Sequence, residues 1–234
     1  APGEALAGLA IGGVQITGAK VVWDDRMADQ RFEVSNFNLE TGELSLEDPI
    51  PVSLSLDLAS SKPLLNSHVA FKTEVSINLE EEVYRLLGTT LEAKASGAAI
   101  PGGSVEAKLA TDIVADLRAQ TASVNPFTLT VQGAELSGQV QAEKILAMPD
   151  VKAALVLALK DPETLLGPHR ASLPEGLKPS ALKGARLDTD VEVSLGNQTL
   201  DLKKFNLQPL RTSSPGRALA HCGPVSSMGR SDGA

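Results

Sequence analysis

Three histidines, His68, His169 and His221, and one cysteine, Cys222, are the residue types here most suited to metal binding or nucleophilic chemistry. A metal site needs such residues at short, regular spacing, and none of the four stands at that spacing from another histidine, cysteine or carboxylate. His68 falls on the polar parity of an alternating segment, and His169 follows Pro168 in a loop; both read as surface residues. His221 and Cys222 are neighbours in an unpatterned tail, where no scaffold holds the third group that an activated nucleophile requires. Asp24 and Asp25 suggest a carboxylate pair, but adjacent strand residues point to opposite faces, and a turn after Trp23 accounts for them. Glu80, Glu81 and Glu82 lack the Gly-punctuated spacing of a calcium loop. Gly12-Gly13 and Gly102-Gly103 are isolated turn pairs, and no phosphate loop, dinucleotide fingerprint or nucleophile elbow is present. Asn197-Gln198-Thr199 matches a glycosylation sequon, which a hairpin turn at Gly196-Asn197 explains. The residues therefore predict no catalytic set, no metal ligands and no cofactor.

The elements that would position any site are read from alternation. Val52, Leu54, Leu56 and Leu58 alternate with Ser53, Ser55 and Asp57; Phe71, Val75, Ile77 and Leu79 oppose Lys72, Glu74, Ser76 and Asn78. Leu155, Leu157 and Leu159 share a side, and Leu187, Val191, Val193 and Leu195 alternate with Asp188, Asp190, Glu192 and Ser194. Period-2 patterning marks strands with one buried face, and antiparallel meanders suit it better than a doubly covered parallel sheet. Strands are predicted at 13–24, 29–40, 50–60, 66–79, 89–100, 104–124, 127–132, 134–145, 151–160, 183–196 and 198–208. Parity slips at Ser35-Asn36 and at Gly133 predict a bulge or tight turn that keeps apolar side chains on one face. Two short helices are predicted. One covers Leu79–Leu87, with glutamates at its positive end and Gly88 after it; the other is opened by Asp161-Pro162 and ended by Gly167-Pro168. A loop is predicted from Ala171 to Pro179.

The fold class predicted is thus mostly β: a long twisted antiparallel sheet, partly rolled into a groove or half-barrel, with one or two short helices. Residues 1–208 form one β-rich domain, and 209–234, rich in Gly, Pro and Ser and without periodicity, read as an unstructured or non-native tail. A net charge of −8 disfavours nucleic acid and polybasic docking on anionic headgroups. No apolar run is long enough to span a bilayer, and a start at Ala1 without Met suggests a piece of a longer chain. Aromatic residues are too few for the girdles of an outer-membrane barrel.

Several segments, taken in order, resemble the AsmA family of bacterial envelope proteins. Ile11 to Asp25 is similar to its Gly-rich opening strand ending in Trp-x-Asp; Phe37-x-Leu39-x-Thr41-Gly42 and the Pro51 to Leu58 strand follow. Phe127 to Gly138 resembles its recurrent strand, Gly-Ala-x-Leu-x-Gly, strand unit. Asp161 to Gly167 with Ser180-Ala181-Leu182 is similar to a short helical insertion. The resemblance covers roughly residues 10–208. It implies a periplasmic β-rich body on an inner-membrane anchor, similar in principle to chorein-type bridge proteins whose rolled sheet carries lipid. It further implies a role in outer-membrane assembly and phospholipid movement across the periplasm.

Two functional expectations stand side by side. In the first, the protein is non-catalytic and holds phospholipid acyl chains, with Leu54, Leu56, Leu58, Phe71, Val75, Ile77, Leu155, Leu157 and Leu159 as the groove wall. The same positions serve as plain core if a second sheet covers them. In that case the protein is an interaction or scaffolding module for envelope proteins, whose sheet edges recruit partner strands. An enzyme such as a polysaccharide hydrolase would need an acid/base pair that the chain does not offer.

Overall fold

The structure, a computed structural model, describes residues 12–45, 48–98, 100–167 and 178–208. Eleven strands follow one another: β1 (Gln15–Asp25), β2 (Gln30–Thr41), β3 (Ile50–Ser61), β4 (Leu64–Asn78), β5 (Val83–Gly97), β6 (Ser104–Asp116), β7 (Thr121–Val131), β8 (Ala134–Glu143), β9 (Asp150–Leu159), β10 (Arg186–Ser194) and β11 (Thr199–Gln208). They make one open antiparallel sheet, partly rolled, in which spatial order equals chain order; β1 and β11 are its edges. Each strand packs on its chain neighbours, and among the described residues no second sheet lies across either face.

Alternation puts apolar residues on one face only while the strands stay in phase, and the strands here are long enough to lose phase. Bulges restore it. Asn36-Phe37 on β2 face the single Leu56 of β3, and Asn36 takes the left-handed backbone (φ 49°) tolerated best by Gly and Asn. Leu87-Gly88 on β5 face Asp112 of β6, and Asn125-Pro126 on β7 face the same Asp112. The β5 and β7 bulges meet at Asp112 from its two sides, and each extra residue bends its strand and increases the twist. Asp112 Oδ1 accepts from the Gly88 amide at 2.7 Å, a donor the bulge would otherwise leave without a partner. Proline is tolerated inside β7 because a bulge is a site where no ladder donor is required.

After β9 the chain forms helix α1 (Pro162–Leu166) and a 3-10 turn, Pro179–Leu182. Asp161 caps α1: its carboxylate accepts from the Thr164 hydroxyl at 2.7 Å and the Thr164 amide at 3.3 Å. Those two bonds, the hydroxyl first, hold its carboxyl below the usual range. Gly133 fastens this insertion to the sheet, because its carbonyl accepts from both the Lys160 amide (2.7 Å) and the Asp161 amide (2.9 Å). Gln132 and Gly133, both at positive φ, are the two-residue turn between β7 and β8.

The structure corrects two elements. Leu79–Leu87 is not a helix. Residues 79–82 are a turn with Glu82 left-handed, and β5 starts at Val83, where Tyr84 pairs Ile77 and Leu86 pairs Val75. Helical spacing of four apolar residues cannot compete with a ladder that has partners on both sides. The single predicted strand 104–124 is two, β6 and β7, separated by a turn at 117–120. The second predicted helix is observed, and both parity slips are found, as a bulge at Asn36 and a turn at Gly133. His169, His221, Cys222, most of the predicted loop and the predicted tail lie outside the described residues.

Candidate functional site

One row of partners is unbroken from edge to edge. Ile16, Leu39, Leu54, Phe71, Leu91, Leu109, Leu129, Leu136, Leu157, Leu187 and Leu207 are successive partners, one from each strand. This row carries ten aliphatic residues and one phenylalanine, and no polar residue. A parallel row through Leu56, Val69, Ala93, Ala107, Val131, Ala134 and Leu159 is equally apolar and is narrowed by small residues in its middle. Of the paired positions on this face, only Asp25 at the end of β1 is charged. The apolar face therefore spans ten inter-strand gaps of about 4.8 Å, roughly 48 Å along the sheet.

All nine residues expected to form a groove wall stand on this one face. Leu54, Phe71 and Leu157 belong to the central row, Leu56 and Leu159 to its neighbour, and Leu58, Val75, Ile77 and Leu155 to rows on either side. Their rows also contain residues not expected in the groove wall, notably Leu91, Leu109, Leu129 and Leu136. Among the described strand residues with aliphatic or aromatic side chains, only Ile50 and Val83 are buried outright. Most of the face is half-covered, among the described residues, by neighbouring side chains alone. At the β11 edge the covering is less still: Leu200, Leu202, Phe205 and Leu207 are all exposed, Phe205 at 68%.

Threonines on the apolar face deal with the backbone groups that bulges release. Thr73, Thr89 and Thr111 are buried; the Thr73 and Thr89 hydroxyls lie 2.8 Å apart, and Thr73 donates to the Leu87 carbonyl at 3.3 Å. Thr111 donates to Asp112 O at 3.2 Å, and Thr189 donates to Lys204 O at 2.9 Å beside the β11 bulge. Their hydroxyls are turned inward to the backbone, so the face offers a ligand methyl and methylene groups rather than directional bonds. Ser60 is the exception, with a buried hydroxyl that has no partner.

The opposite face is polar. Lys94–Glu106 and Lys108–Glu92 pair across strands at 3.5 Å, exposed contacts worth at most about 1 kcal/mol each. Alternation placed both His68 and Asp57 on this face but did not pair them: Asp57 Oδ1 lies 2.6 Å from His68 Nδ1, and Asp57 Oδ2 accepts from Asn36 Nδ2 at 2.6 Å. The Asn36 amide, then His68, keeps the Asp57 carboxyl below its ordinary range. Asp57 and His68 line a cavity of about 870 Å³ with Asn66, Lys94, Ser96 and Glu106. Cross-strand register could have revealed the pair, since Asp57 and His68 are direct partners, but register is not visible in one strand alone. Among the described residues no three of His, Cys, Asp or Glu are grouped to hold a metal ion.

Fold and face together define an open antiparallel meander with a continuous apolar surface that no second layer covers among the described residues. No family model, curated protein or solved structure matches the chain.

Proposed function

We propose that this protein is a non-catalytic lipid-handling module of the bacterial envelope, whose rolled sheet carries phospholipid acyl chains along its apolar face. The observation that supports this reading is the unbroken eleven-residue apolar row on a face that no second layer covers among the described residues. An amphipathic sheet left facing water loses the term that stabilises it, so such a face calls for an apolar occupant. Acyl chains meet the requirement because they need area and few directional bonds. At about 0.8 kcal/mol per buried methylene, ten methylenes contribute at most roughly 8 kcal/mol, enough for micromolar binding before ordering costs. The resemblance to AsmA proteins supports a periplasmic location, a membrane-anchored parent, and a role in outer-membrane assembly and phospholipid movement.

The test is site-specific photo-crosslinking in cells of the Gram-negative envelope. Probes at Leu54, Leu56, Leu155 and Leu157 are expected to capture phospholipid, while probes at Ser53, Ser55 and Lys152 on the polar face are not. Equal capture from both faces, or none from the apolar one, would sink the proposal. Native mass spectrometry of the purified chain supplies the second readout: co-purifying phospholipid is expected.

A further inference from the structure

We propose that the free edge of β11 is an acceptor site for an added antiparallel strand, and that the strand it selects alternates apolar with acidic residues. The two edges differ. β1 is broken twice in its register with β2, has left-handed Gly18 in its path, and has Lys20 engaged by Glu33 at 2.6 Å. β11 has a single bulge, at Lys203, and extends regularly on both sides of it. Among the described residues no strand lies beside its outer backbone groups, and all ten of its residues are exposed. An edge of this length with four large apolar side chains on one face is a template for strand pairing.

The inner side of β11 shows what such a strand looks like. There the chain lays down β10, whose Leu187, Val191 and Val193 meet Leu207, Leu202 and Leu200 on the apolar face. On the polar face Asp190 faces Lys204, and Glu192 reaches Lys203 at 3.5 Å. Strand side chains are shared by both flanks, so an outer strand meets the same apolar set and the same two lysines. Lys203 is already engaged by Glu192 and Asp201, whereas Lys204 has no ion pair among the described residues. An acidic residue opposite Lys204 would be favoured and a basic one repelled. A second copy of β11 is a poorer occupant, because full ten-residue overlap sets Lys203 against Lys204. The inference does not require lipid binding, since the added strand is held by the backbone edge and extends the apolar face rather than covering it.

The probe is a synthetic peptide copying Arg186–Ser194, added to the full-length chain and followed by amide hydrogen exchange. Saturating peptide is expected to slow the unpaired amides of Thr199–Gln208 by tenfold or more. A peptide with its three acidic positions changed to lysine is expected to bind roughly tenfold more weakly. The exposed substitution Lys204→Glu is expected to reverse that preference. Three results would overturn the proposal: no added protection in β11, protection that ignores peptide charge, or a dimer in sedimentation equilibrium whose formation protects the β11 amides without peptide.

Discussion

Replacing Gly133 with alanine tests how the helical insertion is tied to the sheet. Gly133 sits at φ +82°, and a Cβ built on it would lie 2.6 Å from both Asp161 Cβ and Asp161 O. Ordinary contact begins at 3.4 Å, so Asp161 must retreat by 3.4 − 2.6 = 0.8 Å. A retreat of that size along the hydrogen bonds stretches the Lys160 and Asp161 amides from 2.7 and 2.9 Å to about 3.5 and 3.7 Å from Gly133 O, past the useful range of roughly 3.2 Å. Gly103 is a natural control, with φ +81° and open space where its Cβ would go. Both alanine variants bear the left-handed strain of roughly 1–2 kcal/mol. Only G133A also loses two hydrogen bonds, for about 1–3 kcal/mol more. Urea unfolding should show G133A below G103A by that difference, and hydrogen exchange should show faster Lys160 and Asp161 amides in G133A alone. If the two variants unfold at the same midpoint, the clash is absorbed elsewhere and the reasoning fails.

Other outcomes follow from the same geometry. T73V should destabilise by about 1–3 kcal/mol, because it strands both the Leu87 carbonyl and the Thr89 hydroxyl, while T89V should lose only about 0.5–1.5 kcal/mol; equal losses in chemical denaturation would contradict the assigned direction of donation. Asp57 should titrate below the ordinary value near 3.9. N36G, which keeps the left-handed backbone but removes the amide donor, should raise that midpoint in a carbon-13 NMR titration; an unmoved midpoint would show that Asn36 is not the main cause. Because Asp161 is depressed in the folded state, its contribution to the α1 cap is present above about pH 3.9 and lost as pH falls through the lower folded value. The Thr164 amide shift should follow that titration in the native chain and be flat in D161N.

A strand's two-residue period survives in any tertiary setting, because it reflects only the geometry of extended backbone. Alternation at Val52–Leu58, Phe71–Ile77 and Leu187–Val193 therefore identified strands and their apolar sides without reference to neighbours. The Asp161-Pro162 cap was legible for a similar reason: its bonds close within three residues. Residues 79–87 misled because four apolar side chains at helical spacing are also compatible with a turn and a strand start. Pairing of Tyr84 and Leu86 with β4, a contact between segments, decided the matter. The continuous eleven-residue row could not be read from the chain either, since it exists only when every hairpin sets its register and every bulge corrects a phase. The same holds for Asp57 beside His68, and for the absence of a second sheet across the described strands. Local backbone geometry determined which side of each strand is apolar; only the assembled ladder decided that those sides join into one surface.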